Sequence, residues 1–124
     1  MVCYHLLFIL RCIDVTETNA ATAHPIDIFS LAVTSGQILS VSGASSLKVH
    51  STADPDFPLV QALDGAHKVG CHHVVTSRNG SRAASVGFGG ETRVWSYADG
   101  TWTEDIKASG NYFCSVSNKL ASQL

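Results

Sequence analysis

The sequence predicts an all-β chain built as two four-stranded antiparallel units, and three observations carry that reading. Short runs of β-branched and apolar residues recur, each closed by a cluster of Gly, Asn, Asp, Pro or Ser, the pattern of strands joined by tight turns. The runs fall into two groups of four in the same order. The composition agrees: the chain is rich in Ser, Thr, Val, Gly and Ala and short of the Glu, Lys, Leu and Arg that dominate helical proteins.

In the first group the strands read Ile26 to Val33, Gln37 to Ser42, Leu47 to Ser51 and Leu59 to Leu63. Asp54-Pro55-Asp56 and Pro58 interrupt the chain where a strand interior needs backbone donors, so a longer loop is expected before the fourth strand. The second group reads Cys71 to Ser77, Arg82 to Gly87, Thr92 to Tyr97 and Thr101 to Ile106. Asn79-Gly80 and Asp99-Gly100 are pairs that adopt the positive φ angles of tight hairpins at low cost, which makes the neighbouring strands antiparallel.

The two groups also match residue by residue. Ala23-His24 aligns with Ala66-His67 at a spacing of 43, and Ser40-Val41 aligns with Ser85-Val86 at a spacing of 45, so one loop differs by two residues. At the same spacing of 45, Lys48-Val49-His50-Ser51 falls on Arg93-Val94-Trp95-Ser96. A period of about 40–45 residues with four strands per unit is that of β-propeller blades. The resulting division is an atypical segment 1–22, a blade at 23–65, a blade at 66–107 and an atypical tail at 108–124.

In WD repeats a His near the start of the unit, a hydroxyl in the second strand and a Trp in the third form a buried hydrogen-bonded set that fixes strand register. The second unit offers His67, Ser85 and Trp95; the first offers His24 and Ser40, with His50 in the Trp position. Ala-His stands for the usual Gly-His, Trp95-Ser96 for Trp-Asp, and Gly89 and Ala44 stand where the turn Asp is expected. The stretches AHPIDIFSLAV, SGASSLKVHST, DPDFPLVQALDGAHKVGCHH and SVGFGGETRVW, between Ala23 and Trp95, resemble the opening blades of the fungal WD-repeat subunit of the superkiller complex. That resemblance implies a WD-repeat β-propeller fragment of about two blades. It further implies a non-catalytic scaffold that holds a tetratricopeptide scaffold and an RNA helicase together in exosome-linked cytoplasmic mRNA decay. In some fungi the family also acts in meiotic recombination, which adds the nucleus to the cytoplasm as a place of work.

Other chemistries find little support. Charged residues make up 15% of the chain, the formal net charge is -2 and no block of like charge occurs, so direct nucleic-acid binding is not expected. The apolar run from Leu6 to Leu10 has no basic residue ahead of it and is far short of the roughly 20 residues of a membrane span. Cys3, Cys12, Cys71 and Cys114 lie too far apart for a zinc ribbon. Cys71, His72, His73 and His67 could approach a metal, but His72 and His73, as neighbours on a strand, point to opposite faces unless a bulge intervenes. Gly87-Phe88-Gly89-Gly90-Glu91 reads as a hairpin turn rather than a phosphate loop, and Asn79-Gly80-Ser81, though it has the form of a glycosylation acceptor, reads as a turn. No cofactor and no catalytic residue are expected. The rival readings are a small secreted or surface β-sandwich, with the apolar start as its signal and the cysteines bridged, and a truncated product without a function of its own.

Overall fold

The computed structural model describes residues 20–109, so the cysteines at 3, 12 and 114 and most of the atypical segments 1–22 and 108–124 lie outside the described residues. Eight strands form two sheets. The first contains β1 (Ile28–Val33), β2 (Gln37–Ser42), β3 (Leu47–Ser51) and β4 (Leu59–Leu63); the second contains β5 (Cys71–Thr76), β6 (Arg82–Gly87), β7 (Glu91–Ala98) and β8 (Thr101–Ser109). Each sheet is an antiparallel meander in chain order, β1-β2-β3-β4 and β5-β6-β7-β8, with β1 and β2 packed on β5.

The strand boundaries follow local chemistry. β1 starts at Ile28 rather than at Ile26 because the chain bends at Pro25 and Ile26, where proline has no amide hydrogen to offer the ladder. β7 and β8 run beyond the expected ends, pairing Glu91 with Ser109 at one extreme and Ala98 with Thr101 at the other. Asp99 and Gly100 both take positive φ, 53° and 80°, so that hairpin closes as its sequence predicts. The Asn79-Gly80 turn differs. Only Gly80 is left-handed, and five residues separate β5 from β6, with the Gly80 amide donating to Ser77 O at 2.9 Å. The corresponding β1–β2 turn has three, which places the two-residue difference between the repeats in this loop.

Register irregularities repeat as well. β1 is bulged between Ile28 and Ser30 and β5 between Cys71 and His73; β4 carries an extra residue, Val60, opposite the Val49–His50 step, and β8 carries Asp105 opposite the Val94–Trp95 step.

Between the sheets lies one hydrophobic core. The first sheet contributes Ala32, Leu39, Val41, Leu47 and Val49, and the second contributes Ala66, Cys71, Val74, Ala83, Trp95 and Trp102. Alternation along the strands sends these side chains to one face of each sheet. Polar links cross the same interface: Ser30 Oγ accepts from Val74 N at 3.2 Å, Thr76 Oγ1 donates to Val33 O at 3.1 Å, and the His67 amide donates to Ser45 O at 3.0 Å. At Gly70, with φ of +97°, a Cβ would lie 2.3 Å from the Gly43 carbonyl oxygen, so the close approach of the two sheets there requires glycine.

The sheets are stacked in one direction. The face of the second sheet bearing Val74, Ser85 and Trp95 is covered by the first, and Val74 is 1% exposed. The equivalent face of the first sheet is open, leaving Leu31 and Val33 at 59% and 63% exposure.

Candidate functional site

The polar core of the second sheet is centred on Ser85. β6 places Ser85 at the middle of the sheet, β7 brings Trp95 two positions along from its partner Arg93, and the segment before β5 delivers His67. Trp95 Nε1 donates to Ser85 Oγ at 2.9 Å, and His67 Nε2 lies 2.8 Å from the same oxygen. Directly opposite Trp95 is Ala83, whose small side chain leaves room for the indole. Both His67 and Ser85 are fully buried, beyond the reach of any substrate.

The acidic partner that the turn was expected to lack comes from the first residue of β7. Glu91 Oε1 is 3.3 Å from His67 Nδ1 and accepts from the Lys68 amide at 3.2 Å. The His67–Glu91 contact is close but not aligned as a hydrogen bond, so Nδ1 is held electrostatically. Gly87 makes the contact possible: a Cβ there would meet His67 Nδ1 at 2.5 Å and Glu91 Cδ at 2.9 Å. Donor accounting assigns the tautomer. Trp95 can only donate to Ser85, Ser85 can then donate to His67 Nε2, and the proton on Nδ1 faces the carboxylate.

The first sheet reaches a different solution with equivalent positions. His24 Nε2 lies 2.9 Å from Ser40 Oγ and 3.3 Å from Ser40 O, while Nδ1 lies 3.0 Å from Ser42 Oγ. A carbonyl oxygen can only accept, so His24 carries its proton on Nε2, the opposite tautomer to His67. Ser42 occupies the position of Gly87, and its hydroxyl donates to the unprotonated Nδ1 of His24, the reverse of the second sheet, where the Glu91 carboxylate faces the Nδ1 proton of His67. His50, in the place of Trp95, is buried but makes no hydrogen bond to Ser40, whose hydroxyl donates instead to Lys48 O at 3.4 Å. The first sheet is therefore a pair rather than a triad. Ile38 opposite His50 makes up part of the lost volume, and a cleft of about 170 Å³ remains beside His50, lined by Ile28, Leu31, Ile38 and Phe57.

Burial lowers the pKa of all three imidazoles below the ordinary value: desolvation dominates at His24, at His50, where Lys48 adds to it, and at His67, where Glu91 opposes it. Burial would raise the Glu91 carboxyl, but hydrogen bonds from its own and the Lys68 amide and the close approach of His67 outweigh it and leave the pKa lowered. A histidine with a depressed folded-state pKa contributes stability that is full above its unfolded value of about 6.5 and is lost as pH falls through the folded value. Glu91 acts in the same direction at lower pH. The melting temperature should accordingly drop between about pH 7 and pH 5, and a flat profile across that range would contradict buried neutral histidines.

Cys71, His72 and His73 do not converge. The β5 bulge permits it, yet the Cys71 thiol donates to Val86 O at 3.1 Å, His72 packs at a tilt against Phe88 with ring centroids 5.3 Å apart, and His73 Nδ1 lies 3.3 Å from Ser30 Oγ. Burial pushes the Cys71 thiol up to about 11, so it is neither a thiolate ligand nor a nucleophile at neutral pH. No group of three or more metal-ligating side chains occurs among the described residues, and no described helix is long and apolar enough to cross a membrane.

A second site, which sequence reasoning did not single out, lies on the surface. Phe29 at the start of β1 and Phe88 in the β6–β7 turn meet edge to face at 5.4 Å, bridging the two sheets, with His72 against Phe88. Phe29, Phe88, Ile26 and Val69 are all exposed at this end of the molecule. Such aromatic groups supply large contact area at low conformational cost and are enriched at protein interfaces.

No model of a known protein family matches the chain. Over 73 residues, 59% of this chain, the sequence is 42% identical to the meiotic recombination protein rec14 of Schizosaccharomyces pombe, and the match spans 24% of that protein. Sqt1 of Saccharomyces cerevisiae superposes with a TM-score of 0.67 at 10% identity, covering 73% of this chain and 25% of that one. The computationally designed protein Ika4 superposes with a TM-score of 0.58 at 19% identity, covering 72% of this chain and 52% of that one. At such low identities the structural likeness shows the fold alone, and the fold is that of a β-propeller fragment, the described residues forming two four-stranded blades.

Proposed function

We propose that the two blades are part of a non-catalytic WD-repeat scaffold that binds other proteins, of the kind found in the superkiller complex. The exposed Phe29–Phe88–His72 group carries this reading, because it places large apolar side chains of both blades on one accessible surface. The polar residues that could suggest chemistry are used otherwise: Ser85 is buried and bonded on two sides, without a strained elbow to activate it. The partners in this reading are a tetratricopeptide scaffold and an RNA helicase in the cytoplasm. The similarity to rec14 favours a second assignment of the same scaffold, to meiotic recombination in the nucleus.

Affinity capture of the tagged protein from its own cells, in vegetative and meiotic culture, separates these assignments by the partners recovered. Changing Phe29 and Phe88 together to aspartate should abolish capture, since truncating a central aromatic anchor typically costs about 2 kcal/mol or more of binding. Both side chains lie outside the core, so circular dichroism should be unchanged. Undiminished capture by a folded double variant would remove this surface from the reading.

A further inference from the structure

The β5–β6 loop holds an unassigned reactive site. Asn79 is exposed at its tip and is followed by Gly80, the residue type that least obstructs approach of its own nitrogen to the preceding side chain. The side-chain carbonyl oxygen of Asn79 accepts three hydrogen bonds, from Ser77 Oγ at 2.8 Å, Ser81 N at 3.1 Å and Ser81 Oγ at 2.7 Å. Donors aimed at a carbonyl oxygen stabilise the negative charge that grows there when the carbon is attacked.

We propose that Asn79 is a site of spontaneous modification, in which the loop activates its own asparagine for cyclisation and deamidation. The Gly80 nitrogen attacks Asn79 Cγ. The new N–Cγ bond closes a five-membered imide, the Cγ–Nδ2 bond breaks, and the side-chain nitrogen leaves as ammonia with the Gly80 amide proton. Water then adds to one of the two imide carbonyls and opens the ring to an aspartyl or an isoaspartyl residue. No oxidant, metal or enzyme is needed, and each product carries one additional negative charge.

One contact opposes the reaction: the Gly80 amide donates to Ser77 O at 2.9 Å and must be released first. Surface loop tips open locally at small free-energy cost, so this sets the rate without forbidding the step. The aspartyl product can keep the same three donors, now to a charged acceptor, and leaves the turn intact. The isoaspartyl product inserts a methylene into the backbone beside Gly80, where a Cβ would already lie 3.3 Å from Thr34 of the first blade, so it disturbs the contact between the blades. The three-residue β1–β2 turn, Thr34 to Gly36, contains no asparagine, which confines the chemistry to the second blade.

The test is incubation of the full chain at neutral pH and physiological temperature, followed by peptide mapping with isoaspartyl labelling. A Ser81→Ala variant, which removes one donor, and a Gly80→Ala variant are run in parallel, each folded and in urea. Conversion should concentrate at Asn79 in the folded protein. Ser81→Ala should slow it about fivefold when folded, the loss expected for one hydrogen bond, and should leave the rate in urea unchanged; Gly80→Ala should slow it in both. No conversion of folded protein while the urea-unfolded chain converts fully, or equal folded rates for Ser81→Ala and the parent, would overturn the proposal.

Discussion

Replacing Trp102 by alanine should destabilise the protein by about 3–5 kcal/mol, the range for removing a large buried aromatic. Trp102 lies in β8 of the second blade and is 1% exposed, yet its polar contacts are all to the first. Its indole donates to Gln37 Oε1 at 2.9 Å, its amide donates to Gln61 Oε1 at 2.8 Å, and its carbonyl accepts from Gln61 Nε2 at 2.8 Å. Alanine would keep the two backbone bonds, but it would leave Gln37 Oε1 without its donor and a cavity between the sheets. Urea denaturation followed by circular dichroism measures the loss. A cost under about 1 kcal/mol would mean that the blades are not held together through this side chain.

Second in size is the expected effect of Ser85→Ala, about 2–4 kcal/mol, because one deletion strands two buried groups, Trp95 Nε1 and His67 Nε2, in a region of low dielectric. Ser40→Ala provides the internal comparison. His24 would still face the Ser40 carbonyl and the Ser42 hydroxyl, and no tryptophan depends on Ser40, so this change should cost visibly less. Comparable losses at the two serines would show that the asymmetry between the blades has no energetic weight.

The strands were legible because alternation, turn residues and the spacing of 43 and 45 residues all pointed to the same divisions. Strand ends were less so: the length of the β7–β8 hairpin depends on pairing between residues as far apart as Glu91 and Ser109. Within the polar core, pattern was enough to bring His67, Ser85 and Trp95 to attention but not Glu91. The expected place for an acid was the turn, and only the missing side chain at Gly87 lets a carboxylate from the next strand approach His67. His50 could be aligned with Trp95 from sequence, but a shorter imidazole at that position does not reach Ser40, a matter of length rather than of pattern. The Phe29–Phe88 pair was out of sight because it joins residues from different repeats, which no periodicity within one repeat can relate.

The corresponding bulges of the two sheets bear on how much the two blades can differ in side chain while keeping one backbone course. Each adds a residue to the outer strand at the same place, Val60 opposite the Val49–His50 step and Asp105 opposite the Val94–Trp95 step, although His50 and Trp95 differ in size and bonding. An extra residue in one strand shifts the facing of everything beyond it, so such a kink is hard to gain or lose by small steps, whereas a side chain changes with a single codon. The paired kinks thus hold both blades to one backbone course, within which His50 stands for Trp95 and Ser42 for Gly87 without a change of register.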